Sequence, residues 1–162
     1  MLLSDRGIKS LIDSGNLSAA SPKSVGVITY DLTTDHFSDE VGAHSEYLLK
    51  PGCSVFVGSK EIVDLPANLT ARVLLKNSRV RQGLTLDTPL YFPGHKTVLY
   101  FHITNVSGDE IRFNQSSSIV QVAFERVDEI VVNPPNETFN KEFNYKGMAR
   151  HSPRYSAWST LI

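Results

Sequence analysis

Apolar residues recur at helical spacing once, at the start of the chain. Ser4 is a good N-cap residue, Ile8, Leu11 and Ile12 follow at i, i+3, i+4, and Gly15 stands where a helix stops. Thereafter the pattern is that of strands. Val25-Gly26-Val27-Ile28-Thr29-Tyr30 is a β-branched run. Tyr47-Leu48-Leu49-Lys50 ends at the turn pair Pro51-Gly52, and residues 53–57 form the next run. Ala71-Arg72-Val73-Leu74-Leu75, the long aromatic run 97–104, the alternating stretch 110–113 and the near-continuous run 119–126 complete the set. Turn signals at Leu65-Pro66, Pro93-Gly94 and Ser107-Gly108-Asp109 punctuate them at short spacing. Short strands with regular turns predict an all-β (mainly β) sandwich, distorted barrel or jelly-roll with a short N-terminal helix. At Asn133-Pro134-Pro135-Asn136 the periodicity ends, which predicts one domain over residues 1–135 and a flexible C-terminal arm over 136–162.

Composition narrows this further. The chain has 162 residues, 41% of them hydrophobic, which suits one globular domain and excludes disorder, collagen-like repeats and low complexity as the main architecture. A net charge of −1, from 16 basic and 17 acidic residues, argues against a polybasic nucleic-acid or membrane-surface protein. Neither partner is expected. Cys53 is the single cysteine, so no intramolecular disulfide forms, and no Cys/His group has zinc-ligand spacing. No apolar run approaches the roughly 18 residues of a membrane span, and no signal pattern opens the chain. The expected location is cytoplasmic.

Charge is unevenly spread. Residues 65–86 carry Arg72, Lys76, Arg79 and Arg81 and no acid, and residues 141–162 carry Lys141, Lys146, Arg150 and Arg154 against Glu142 alone. Two basic segments on a near-neutral chain can converge on one small anion, or can be two solvated faces.

Four motifs bear on chemistry. Asp31, at the end of the run Thr29-Tyr30-Asp31-Leu32, can hold a metal-bound water or a basic partner, or is an ordinary strand-end acid. Residues 76–84, Lys76-Asn77-Ser78-Arg79-Val80-Arg81-Gln82-Gly83-Leu84, read as a loop offering N–H groups and guanidinium forks to phosphate, or as a solvated turn. Gln121 places an amide in an apolar strand, where it must hydrogen-bond to backbone or ligand. The tail from Tyr145 and Lys146 through Arg150, Arg154, Tyr155 and Trp158 suits a base-stacking, phosphate-gripping lid, or docking on a neighbouring subunit.

Their order is informative. Leu3-Ser4-Asp5-Arg6 with Ile8, then Tyr30-Asp31-Leu32, Leu49-Lys50-Pro51-Gly52, Ser78-x-x-Arg81-x-Gly83-Leu84, Asn105-Val106 and Gln121-Val122-Ala123-Phe124-Glu125-Arg126, resemble the dCTP deaminase branch of the dUTPase superfamily. The resemblance implies a homotrimer with nucleotide sites between subunits and a C-terminal arm closing over a triphosphate. It implies that Asn77, Ser78 and Arg81 meet phosphates and the reacting base, and that Gln121 meets phosphate. Asp31 would lie near Mg2+ brought with the nucleotide. Tyr91 and Phe92 of the hairpin at residues 90–94 would hold sugar and base, and Tyr145, Lys146, Arg150 and Arg154 would close on the triphosphate.

The chain also departs from that family. Aligning Asn105-Val106 puts His102 where the deaminases carry a catalytic glutamate. Phe92 stands where an acid is expected, with Asp87 the nearest acid, and Lys76-Asn77-Ser78 replaces Arg-Ser-Ser. Histidine titrates near neutral pH, with a pKa of about 6.5, and suits acid/base work; beside Leu99-Tyr100-Phe101 it also suits packing. Three functions follow. The first is an enzyme deaminating dCTP to dUTP, or hydrolysing a pyrimidine deoxynucleoside triphosphate as dUTPases do, with His102 or Asp87 activating water and Ser78 and Arg81 orienting. The second is an inactive trimeric nucleotide sensor, sponge or regulatory protein. The third is a structural barrel without ligand.

Overall fold

The computed structural model describes residues 1–133. The chain opens on helix α1 (Asp5–Asp13), which buries Ile8 and Leu11, the face that the apolar spacing predicts. Ser4 occupies the N-cap with extended backbone, but its side chain makes no capping bond; its carbonyl accepts from Ile8 N–H at 3.0 Å. Eleven strands follow among the described residues: β1 (Leu17–Ser18), β2 (Tyr30–Asp31), β3 (Thr34–Ser38), β4 (Ala43–His44), β5 (Tyr47–Leu49), β6 (Ser54–Asp64), β7 (Leu69–Leu75), β8 (Leu84–Asp87), β9 (Lys96–Asn105), β10 (Ile111–Phe113) and β11 (Val120–Arg126). A short helix, α2 (Asn77–Gln82), joins β7 to β8.

The architecture is all-β, as the pattern predicts. The described strands fall into three antiparallel sheets: a six-stranded one in the order β4-β3-β6-β9-β8 with β1 on β6, a three-stranded one in the order β2-β11-β7, and the pair β10-β5. No ladder closes these described strands into one continuous barrel. Phe37, Phe101, Phe124, Ile103 and Leu99 fill the core between the sheets. Each such side chain contributes about 1.5–3 kcal/mol by leaving water. The N-terminus continues the β2 side of β11, with Leu3 N–H donating to Phe124 O at 2.9 Å.

Three local expectations are corrected. The β-branched run at residues 25–30 is not a strand along its length: Gly26 N–H donates to Thr29 O at 2.7 Å, and the resulting turn leaves Val27 and Ile28 exposed. Strand β6 runs on to Asp64, because a bulge between Gly58 and Ile62 lets pairing with β9 resume. The loop expected over residues 76–84 is largely helix α2, with no buried residue of its own and a stop at Gly83, φ 101°. A Cβ on Gly83 would lie 2.7 Å from the Ser107 Cβ, so both the conformation and the space require glycine. No helix among the described residues is long and apolar enough to cross a membrane.

Candidate functional site

Two groups of the predicted residues assemble, one at each end of β8. The first lies where β2, β11 and α2 meet. Register pairs Gln121 with Asp31 on one side and Leu74 on the other. The Gln121 carbonyl oxygen accepts from the Thr29 hydroxyl at 2.9 Å, and its amide reaches Leu75 O at 3.4 Å, so backbone and a neighbouring side chain satisfy it in this structure. Asp31 accepts from Lys76 Nζ at 3.0 Å, and the same ammonium donates to Ser118 Oγ at 3.1 Å.

Sequence reading missed Arg79. Its Nε donates to Ser118 O at 3.0 Å, one terminal nitrogen donates to Gln82 Oε1 at 2.9 Å, and its guanidinium lies 5.2 Å from the Phe113 ring centre. Burial lowers the Arg79 pKa. Arg79 thus ties α2 to the β10–β11 connection, while Asn77, Ser78 and Arg81 on the same helix stand exposed. Motif spacing singles out Arg81 alone; the role of Arg79 comes from its packing.

Asp31 is the expected metal residue, but its carboxylate is engaged by an ammonium. No cluster of three or more His, Cys, Asp or Glu side chains fit to hold a metal exists among the described residues. A protein-held Mg2+ does not fit this donor set. A polar hollow of about 250 Å³ lies beside Asp31, lined by Lys23, Thr33 and Ser116, Ser117 and Ser118 among others.

The second group lies on the six-stranded sheet. His102 on β9 faces Asp87 on β8 and Phe56 on β6 in register. Its ring centre is 4.4 Å from that of Phe56, and its Nδ1 is 3.8 Å from Asp87 Oδ2. The His102 side chain is 15% exposed and that of Asp87 84% exposed, so the histidine is packed and its acid partner faces solvent. Phe56, Thr88, Pro89, Tyr100 and Phe101 join them around a mostly apolar cavity of about 400 Å³. Tyr91 is not at its mouth. It is fully buried, its hydroxyl donating to Tyr100 O at 2.8 Å and accepting from Tyr100 N–H at 2.9 Å. Phe92, on the same hairpin, is 46% exposed.

The groups are joined by the chain itself. Gly83 ends α2, Leu84 pairs with Asn105, and Asp87 pairs with His102, so β8 carries one group to the other over about 10 Å of strand. Asn105 braces the junction: its amide donates to Leu49 O at 3.0 Å and Asp109 O at 2.7 Å. A further hollow of about 330 Å³ between β5 and β10 contains none of the predicted residues. Tyr145, Lys146, Arg150 and Arg154 lie outside the described residues.

A family profile described as dCTP deaminase-like matches residues 36–127. The chain belongs to that family. A curated relative, the "dCTP deaminase, dUMP-forming" of Corynebacterium kroppenstedtii, is 28% identical over 165 aligned residues covering 85% of this chain and 86% of the relative. Among solved structures, 2'-deoxycytidine 5'-triphosphate deaminase from Agrobacterium tumefaciens superposes with TM-score 0.67 at 19% identity, covering 82% of this chain. The chain spans 50% of the length of that enzyme's chain. The EIAV dUTPase superposes with TM-score 0.52 at 16% identity, over 67% of this chain and 83% of its own. The dUTPase of phage phi11 of S. aureus, whose structure is described with a structural Mg(II) ion, does so with TM-score 0.50 at 12% identity, over 67% of this chain and 83% of its own.

Proposed function

We propose that this member of the dCTP deaminase-like family binds a pyrimidine deoxynucleoside triphosphate, with the base in the Phe56–His102 cavity and the phosphates toward α2 and Gln121. The observation that carries the reading is the placement of a histidine–carboxylate pair on an aromatic-walled cavity, joined by one short strand to a helix presenting Ser78 and Arg81. An apolar cavity with a few convergent polar groups is the usual form of a small-molecule site. The exposed guanidinium of Arg81 offers a fork for phosphate oxygens. The arm over residues 136–162, with its basic and aromatic residues, covers the triphosphate in this reading, and Mg2+ arrives only with the nucleotide. A homotrimer completes the site, since α2 and the cavity mouth face solvent in a single chain.

In the reacting form, His102 takes a proton from water as that water adds at C4 of cytosine. It returns the proton to the departing amino group, so dCTP and water give dUTP and ammonia. Asp87 favours the charged imidazole between these steps. A second reading, binding without turnover, is supported by the packing of His102 against Phe56 and by Asp87 being the one acid among the described residues that line this cavity. Incubation of the full chain with a panel of nucleoside triphosphates, followed by chromatography, separates the outcomes. Ammonia marks deamination, pyrophosphate marks hydrolysis, and retention of unchanged nucleotide marks the second reading. A protein that neither retains nor alters any pyrimidine nucleotide contradicts the proposal. Light scattering reads the assembly: a mass of 18.0 kDa at micromolar concentration would exclude the trimer.

A further inference from the structure

Glu61 is an acid placed in the core. It is fully buried, on β6, whereas most other acids among the described residues face solvent. The β6 bulge explains how it gets there. Between Gly58 and Ile62 the register with β9 shifts, and the Ser59 hydroxyl takes over part of the ladder, accepting from Leu99 N–H at 3.0 Å and donating to Glu61 O at 2.9 Å. The irregular stretch turns Lys60 outward and Glu61 inward. Both Glu61 carboxylate oxygens accept from a single backbone group, the Thr33 N–H, at 2.6 and 3.0 Å. No ion pair at contact distance compensates this carboxylate among the described residues; burial raises its pKa, with the Thr33 N–H and hydroxyl, its own N–H and the charge of Lys60 opposing that rise. A buried acid costs stability unless it is well partnered, so its presence here calls for a use beyond packing.

Thr33 follows Asp31 by two residues, at the corner between β2 and β3. Lys60 N–H donates to Thr33 O at 3.0 Å, Leu32 N–H donates to Val120 O at 3.2 Å, and the Thr34 hydroxyl donates to Ser117 O at 3.2 Å. The corner therefore fixes where Asp31 sits, and Asp31 fixes the ammonium of Lys76, which closes on Ser118 at the foot of α2. We infer that Glu61 is a positioning residue for the phosphate end of the site. Its carboxyl pins the Asp31–Thr33 corner from inside the core and, through Asp31 and Lys76, sets the start of the helix that presents Ser78 and Arg81. This rests on the proposed nucleotide site and adds a residue that touches no ligand.

The test compares the affinity of the full chain for dCTP and for deoxycytidine, with unfolding temperature recorded alongside. Glu61→Ala is expected to weaken dCTP at least tenfold and deoxycytidine less than twofold, because only the phosphates depend on the pinned corner. Glu61→Gln keeps an oxygen able to accept from Thr33 N–H, and is expected to restore dCTP affinity to within threefold of the parent. Should Glu61→Ala not fold, Glu61→Asp serves: it keeps the charge, withdraws the carboxylate by about 1.5 Å, and is expected to weaken dCTP selectively. Equal dCTP affinity in the parent and in the folded variant overturns the inference, as does an equal loss for dCTP and deoxycytidine. A parent protein that binds no nucleotide triphosphate overturns the underlying site instead.

Discussion

The two ends of β8 differ in how they are built. At the α2 end, polar groups hold one another: Asp31 to Lys76, Lys76 to Ser118, Arg79 to Ser118 O, with Glu61 bracing the corner from behind. At the β9 end, one imidazole lies among aromatic rings, 4.4 Å from Phe56 between ring centres, and its acid neighbour stands in solvent. A networked polar region suits holding a charged group in a fixed place, because each dipole is already oriented before the ligand arrives. A packed imidazole beside an apolar cavity suits sensing or processing a flat ring. In the proposed reading the second region carries the chemistry of the base and the first holds the phosphates.

Substitution at the β9 end should give the largest effect and the cleanest separation. If turnover occurs, His102→Asn should lower it by about 10²–10⁴, the range of a general acid/base, and leave nucleotide affinity within a few fold. Persisting turnover would move the role to Asp87. At the α2 end, Arg81→Ala should weaken triphosphate binding ten- to a hundredfold, about 1.5–3 kcal/mol for a charge-assisted bond, without changing the unfolding temperature. Arg79→Ala should do the reverse. It removes a bond to Ser118 O and the contact with Phe113, so it should destabilise by about 1–2 kcal/mol, read in denaturant titrations, with a lesser loss of affinity.

Two acids sharpen the comparison through pH. Burial raises the Glu61 pKa, so Glu61 contributes stability that is present below the unfolded value of 4.5 and lost as pH rises through the raised folded one. The unfolding temperature of Glu61→Gln relative to the parent should therefore climb with pH across that window. Tyr30, whose own pKa burial raises with Glu61 and Asp31 adding to it, and Lys60 are the charged or titratable neighbours that modulate the window. Asp39, between β3 and β4, behaves oppositely. Burial pushes its pKa up, but hydrogen bonds from His44 and from the Val41 and Gly42 N–H groups win and lower it overall. Its contribution holds above the unfolded value of 3.8 and disappears as pH falls through the lowered one, so Asp39→Asn should be less stable at pH 7 and converge on the parent in acid.

The strands that form the core of both ends were legible because burial leaves a periodic trace. β7, β9 and β11 alternate or run apolar, and Ile8 and Leu11 mark α1. Strand β3, Thr34–Ser38, was not legible: Asp35 and His36 interrupt the apolar signal, and the strand is held by pairing with β6. Helix α2 buries no residue, so no apolar period could reveal it, and Gly83 with its Ser107 contact is what ends it. Val27 and Ile28 have strand propensity but sit at a turn, a case where the Gly26–Thr29 hydrogen bond overrides propensity. Asp31, Gln121, Ser78, Arg81 and His102 were candidates because the order and spacing of their motifs resemble the deaminases, and the structure places them in two groups joined by β8. Arg79 and Glu61 were not candidates, because their roles come from contacts across elements far apart in the chain.

The measurement that bears most directly on the account is calorimetric titration of the full chain with dCTP, run in parallel on Arg81→Ala and Phe56→Ala. One site spanning both ends of β8 predicts saturable binding that weakens at least tenfold in each variant while both remain folded. Absence of saturable binding in the parent, or undiminished affinity in either folded variant, would contradict it.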